Sequence, residues 1–276
     1  MESAIFIIVV WIMSVCLHEF GHAITAYAGG DTTVKERGYL TLNPIVYFNS
    51  STTLVLPLFF LLIGGIPLPG AAVYIKHSLL RSKMWISAVS FAGPFFSFLC
   101  LVAFIIIFKA FPTNELLHSS LALLIFLQTY MLILNLIPLP PLDGWGIIEP
   151  WMPENIRIAA IRNGNLGFIV IMGLMWLTPA GDYMSLLVFT LMRYLDVEGY
   201  LIARTFENFR EYSMPIAALI IVTFIVKNIK SPAQKAAEAE KSKAIAVQHY
   251  ERLKLKGIAN RILTKKLKRS FFSTRN

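Results

Sequence analysis

Residues 18–22 read His-Glu-Phe-Gly-His, an HExxH arrangement. On a helix the two histidines fall one turn apart on the same face, so both imidazoles can reach a single metal ion. Glu19 stands beside them, in reach of a water activated by that ion, which is the working logic of zinc hydrolases. Zinc catalysis also needs a third protein ligand and an open position. Two carboxylates come into question. Glu36 lies downstream in a polar loop beyond Gly29-Gly30. Asp143 is the better candidate, closing the string Asn135-Leu-Ile-Pro-Leu-Pro-Pro-Leu-Asp143-Gly144 directly after a long apolar block. Pro138, Pro140 and Pro141 unwind the chain there, and irregular backbone at membrane depth is tolerated only when buried or lining a cavity. The metzincin extension is absent, since Thr25 and Ala28 stand where glycine and histidine belong.

The elements that must carry these residues are apolar blocks: Ala4–Leu17, Leu54–Ile66, Trp85–Phe108 (interrupted by Gly93-Pro94), Leu116–Ile137, Leu166–Leu177, Tyr183–Leu191 and Pro215–Val226. Of the 276 residues, 56% are apolar and 15% charged, with a mean hydropathy of +0.64. This excludes a soluble globular enzyme, a disordered chain and a disulfide scaffold, and predicts an all-α polytopic membrane protein. His18 then sits about 21 Å into the first block. Two histidines and a carboxylate at that depth are costly unless they face a cavity, a metal or each other. Ser14 and Thr25 extend the same helical face as a weakly polar stripe. Cys16 and Cys100 lie within apolar blocks and read as small buried hydrophobes. Met1-Glu2-Ser3 offers no basic n-region, so the first block reads as a retained span.

Spans are expected over 4–28, 85–108, 116–137, 164–177 and 213–227. Between the first two, β-type alternation and Asn43-Pro44 predict an extended β-type ribbon or a loop over 31–53. The 13-residue block 54–66 is short enough to be re-entrant. Tyr183–Leu195 reads as a surface-lying helix or half of a hairpin. The charge is lopsided: from Lys227 onward there are 14 Lys/Arg against 3 Asp/Glu, and before it 11 against 13. The expected division is a catalytic membrane core over 1–147, further membrane or interfacial helices over 148–229, and a basic helical tail over 230–276. By the positive-inside rule the tail is cytoplasmic and the N-terminus outside, with Lys76, Arg81 and Lys83 also inside. The tail fits an anionic lipid surface, and no nucleic-acid reader motif accompanies it. His77, His118 and His249 read as loop or surface residues.

With these motifs in place the chain resembles the site-2 protease family of intramembrane zinc metalloproteases, in its compact form without a PDZ domain. The HExxH at 18–22 and the Asn135…Pro138…Pro140…Asp143-Gly144 string carry the resemblance in spacing and order. Gly30-Asp31…Gly38-Tyr39-Leu40-Thr41-Leu42-Asn43-Pro44 and Ala92-Gly93-Pro94 are similar to the family's connecting segments. The likeness covers roughly residues 10–147. It implies one zinc ion held by His18, His22 and Asp143, Glu19 activating water, and Asn135 holding the substrate strand. It departs at Ser97, where relatives often have Asn, and at Tyr47 and Asn49, where His and Asp are common. The expected activity is endoproteolysis of transmembrane segments in the cell membrane, with the unwound substrate adding as a strand to the 31–53 ribbon. Two other classes stay open: a non-catalytic membrane scaffold or inactive homologue, and a metal or proton transporter.

Overall fold

The computed structural model describes residues 2–47 and 73–228, and among them every regular element is helical. In order these are α1 (Glu2–Gly29), α2 (Thr33–Glu36), α3 (Pro44–Tyr47), a 3₁₀ turn at His77–Leu79 and α4 (Lys83–Ala110). There follow α5 (Glu115–Asn135), α6 (Asp143–Ile148), a 3₁₀ turn at Glu149–Trp151, α7 (Glu154–Leu177), α8 (Ala180–Tyr194) and α9 (Gly199–Asn228). Residues 2–218 pack as one unit; residues 219–228, the end of α9, belong to a second. The block 54–66 and the tail from residue 230 lie outside the described residues.

Among the described residues three helices, α1, α4 and α5, are long and apolar enough to cross a membrane. Each expected block lengthens by a residue or two at most ends because its flanks supply starts and stops. Ser82 accepts a hydrogen bond from the Trp85 N–H and starts α4. Asn114 accepts one from the Leu117 N–H and starts α5. Helix α4 runs through Gly93-Pro94, so the span expected over 85–108 is one continuous helix. Proline removes one ladder bond, and packing of this stretch against α1 and α5 holds the helix together. The blocks at 164–177 and 213–227 form the C-terminal parts of α7 and α9. Tyr183–Leu195 is helical as α8 and packs on α5 and α7, with Phe189 against Phe126 at 5.0 Å between ring centroids.

Helix α5 is the centre of the bundle: Leu121, Ala122, Leu123, Leu124, Ile125 and Leu127 are all buried. Helix α4 instead buries one face, against α1, α5 and α6. Its other face exposes Phe91, Phe95, Phe98, Leu99, Val102 and Ile106, an apolar surface that hydrocarbon would cover at no cost. His118, expected at a loop or surface, is half-buried on α5. Its ring stacks on Phe108 with centroids 3.9 Å apart, burying the imidazole face that a surface position would leave in water.

The β ribbon expected over 31–53 is corrected by its described part. Residues 31–47 hold two one-turn helices and no strand. Local hydrogen bonds outcompete sheet pairing here. Thr33 caps onto Asp31, Gly38 turns the chain at φ +78°, and the Tyr47 hydroxyl bonds the carbonyls of Tyr39 and Thr41. Val34, Tyr39 and Leu40 pack on Ala26 of α1 and Val89 of α4, and draw Val73, Ile75 and Leu80 into the same cluster.

Asp31 ties that segment down. One carboxylate oxygen accepts from the Thr33 hydroxyl at 2.6 Å and its N–H at 3.1 Å, and the other accepts from the Lys76 N–H at 2.7 Å. Burial opposes ionisation, but these hydrogen bonds, the Thr33 hydroxyl foremost, outweigh it and hold the carboxyl below the usual carboxylate range. A carboxyl so depressed stabilises the fold fully above its unfolded value of about 3.9. The contribution is lost as pH falls through the lower folded value. Asp31→Asn is therefore expected to melt about 2–4 °C below the parent protein at neutral pH, the gap closing as the pH drops below about 4. Melting curves of the two proteins from pH 7 to pH 3 check this; a gap of constant size would contradict it.

Candidate metal centre

His18 and His22 lie on α1, which is about 42 Å long; His18 is about 24 Å from Glu2 and 16 Å from Gly29. Both imidazoles are buried and their Nε2 atoms face each other at 3.1 Å. Asp143, the first residue of α6, closes the triangle. Its Oδ2 lies 3.1 Å from His18 Nε2 and its Oδ1 3.4 Å from His22 Nε2. The three ligand atoms fall within 4.8 Å of one another. His18 and Asp143, 125 positions apart in sequence, thus meet. Glu36 is exposed on α2, and Asp143, not Glu36, completes this cluster.

Glu19 is buried beside the cluster, with Oε1 4.0 Å from His18 Nε2. Its Oε2 accepts a hydrogen bond from the Val73 N–H at 3.1 Å. One oxygen is anchored and the other turned to the site. Asn135, the last residue of α5, is also buried, and its Oδ1 has no hydrogen-bond partner. A buried acceptor in that state costs about 1–3 kcal/mol unless something binds to it.

Helix α4 supports the site from behind, a role the sequence reading did not assign. His22 Nδ1 donates to the Val89 carbonyl at 2.7 Å, and His18 Nδ1 lies 2.9 Å from the Ser97 hydroxyl. Between them Gly93 faces the histidines, and a Cβ there would collide with Nε2 of both. Six residues before Gly93 the Ser87 hydroxyl donates to the Ile147 carbonyl at 2.6 Å and accepts from Trp151 Nε1 at 2.9 Å, which fastens α6 and hence Asp143. Ser90 sits against Gly146, where a Cβ would also collide. Ser87, Ser90, Gly93 and Ser97 recur at helical spacing inside an apolar block, and that recurrence was the available signal.

The donor set suits zinc: two neutral imidazole nitrogens and a carboxylate leave a fourth position open. A carbonyl can only accept, so His22 carries its proton on Nδ1 and turns a bare Nε2 lone pair toward His18 and Asp143. A cation in the space that Gly93 leaves free satisfies that lone pair and the carboxylate together.

Two of the three cluster residues lie on an apolar helix long enough to cross a membrane, and with Asp143 they form a group that could hold a metal ion. The curated relatives carry a matching description, each named “Putative zinc metalloprotease”. Rip2 of Mycolicibacterium smegmatis is 39% identical over 204 residues, covering 72% of this chain and 78% of its own length. Rip2 of Mycobacterium tuberculosis H37Rv is 41% identical over 178 residues, or 62% and 68% of the two chains. YwhC of Bacillus subtilis is 33% identical over 193 residues, or 64% and 83%. The chain belongs to this Rip2/YwhC family. No family model matches the sequence, and no solved structure gives a significant match.

Proposed function

We propose that this protein is an intramembrane zinc endopeptidase of the site-2 type, which cleaves transmembrane segments of other membrane proteins in regulated intramembrane proteolysis. The observation that carries the reading is the His18–His22–Asp143 cluster with Glu19 beside it, in the middle reach of an apolar helix long enough to span a bilayer. Histidines and carboxylates there are expensive without a function.

His18 and His22, through Nε2, and the Asp143 carboxylate would hold one zinc ion. Zinc so held supplies Lewis acidity, which makes water a nucleophile near neutral pH and polarises the scissile carbonyl. Glu19 Oε1 takes the proton from the attacking water and returns it to the departing amine. The Val73 N–H keeps the other oxygen, and so the rotamer, in place. A helical substrate hides its amides in its own ladder, so it must unwind before attack. Asn135 Oδ1 then accepts from an amide of the unwound strand, which supplies the partner this buried oxygen lacks.

A compact chain without a PDZ domain is supported by short connections between the described helices and by the mere 25 residues between 47 and 73, fewer than a domain needs. We place the protein in the cell membrane with its basic tail in the cytoplasm against anionic lipid. Residues 1–147 form the catalytic core, 148–229 the further helices and 230–276 the tail.

Reconstitution tests the reading. Purified protein in liposomes should cut a co-inserted single-span substrate, stop when a zinc chelator is added and resume when zinc is restored. Metal flux across the same liposomes without cleavage would make it a transporter. Substrate capture without cleavage, in zinc-loaded protein, would make it a scaffold.

A further inference from the structure

We propose that Ser97 is a positioning residue for the metal centre, whose hydroxyl fixes the tautomer of His18. The inference rests on the zinc reading above. The two histidines are held differently: the Val89 carbonyl leaves His22 no choice of tautomer, whereas a hydroxyl can either donate or accept. If Ser97 donated to His18 Nδ1, the imidazole proton would sit on Nε2. It would then point at Asp143 Oδ2, 3.1 Å away, and occupy the lone pair a cation needs. If Ser97 accepts, Nδ1 carries the proton and Nε2 is free to ligate.

Ligation decides between these, since His18 can offer Nε2 to a cation only when the Ser97 hydroxyl accepts. Ser97 is 1% exposed and lies within α4, where a serine hydroxyl can turn its own proton to the main chain of the preceding turn. Its lone pairs are then left for His18. The main chain at this point is fixed from the other side, since Gln128 Nε2 of α5 donates to the Ser97 carbonyl at 3.1 Å. The buried Gln128 thereby holds the turn of α4 that presents the hydroxyl, so α1 meets the side chain of Ser97 and α5 its main chain. Hydrogen bonds of this kind orient a ligating histidine and raise its basicity.

The test uses full-length purified protein with zinc as the probe. Zinc affinity is measured by competition with a chelator, for the parent and for Ser97→Ala. The imidazole tautomer of His18 is read by ¹⁵N NMR in metal-free protein. The expected results are an affinity loss of about 10–100-fold in Ser97→Ala and, in the parent, a His18 proton on Nδ1. Equal zinc affinity in parent and variant overturns the proposal while leaving the zinc reading intact. A His18 proton on Nε2 in the parent also overturns it, and that measurement stands even if Ser97→Ala fails to fold. A parent that takes up no zinc at all removes both readings together.

Discussion

Glu19→Gln is expected to abolish hydrolysis and leave zinc in place. The glutamine carbonyl can still accept the Val73 N–H, which keeps the side chain where the carboxylate lay. Its amide then faces His18 and the cluster, and an amide cannot take a proton from water. Loss of the general base should lower the cleavage rate by roughly 10²–10⁴-fold. Zinc content, read by elemental analysis, should match the parent because Glu19 is no ligand in this scheme. Cleavage at the parent rate would remove Glu19 from the chemistry. Zinc lost along with activity would make Glu19 part of the binding set instead. The same variant offers a trap for substrate, since binding through Asn135 does not depend on the base.

Gly93→Ala is expected to disable the site by volume alone. A single methyl there overlaps Nε2 of both histidines, so the imidazoles must leave their positions or α4 must move back from α1. Overpacking of this kind costs about 1–3 kcal/mol of stability. The metal suffers more, because its two nitrogen ligands are the groups displaced. Zinc affinity should fall by more than the roughly 10–100-fold that loss of an outer hydrogen bond costs. Gly173→Ala is the matched control, for on α7 the added methyl meets nothing within 4 Å. There the change should raise stability slightly, by up to about 1 kcal/mol, as alanine replaces glycine in a helix. Chelator competition and thermal melts on both variants check the pair. Parent-like zinc binding in Gly93→Ala would mean that the histidines do not ligate from these positions.

What the sequence disclosed was whatever it writes in side-chain identity and spacing. His18, Glu19 and His22 announce themselves by the turn of a helix, and Asp143 by the prolines that stop one. The long blocks disclosed α1, α4 and α5 because hydropathy over twenty residues is a strong signal. Alternation over a dozen residues is a weak one. In 31–47 it lost to Asp31, Gly38 and Tyr47, whose local bonds fold the segment into turns. Pro94 does not end α4, because neighbours on several sides carry the helix through it. The support of the site was harder still to see. Glu19 and Val73 stand 54 positions apart, and the latter contributes only an amide.

The bond from His22 to the Val89 carbonyl leaves the two halves of the metal centre with unequal genetic histories open to them. Any residue that keeps the helix supplies the same acceptor at position 89, so side-chain substitution there cannot erase the bond, although the Val89 side chain is itself packed in the core. Position 97 enjoys no such immunity, because what it contributes vanishes with one codon change. A change at position 97 therefore alters the outer support of His18, whereas the outer support of His22 changes only if the main chain of α4 moves.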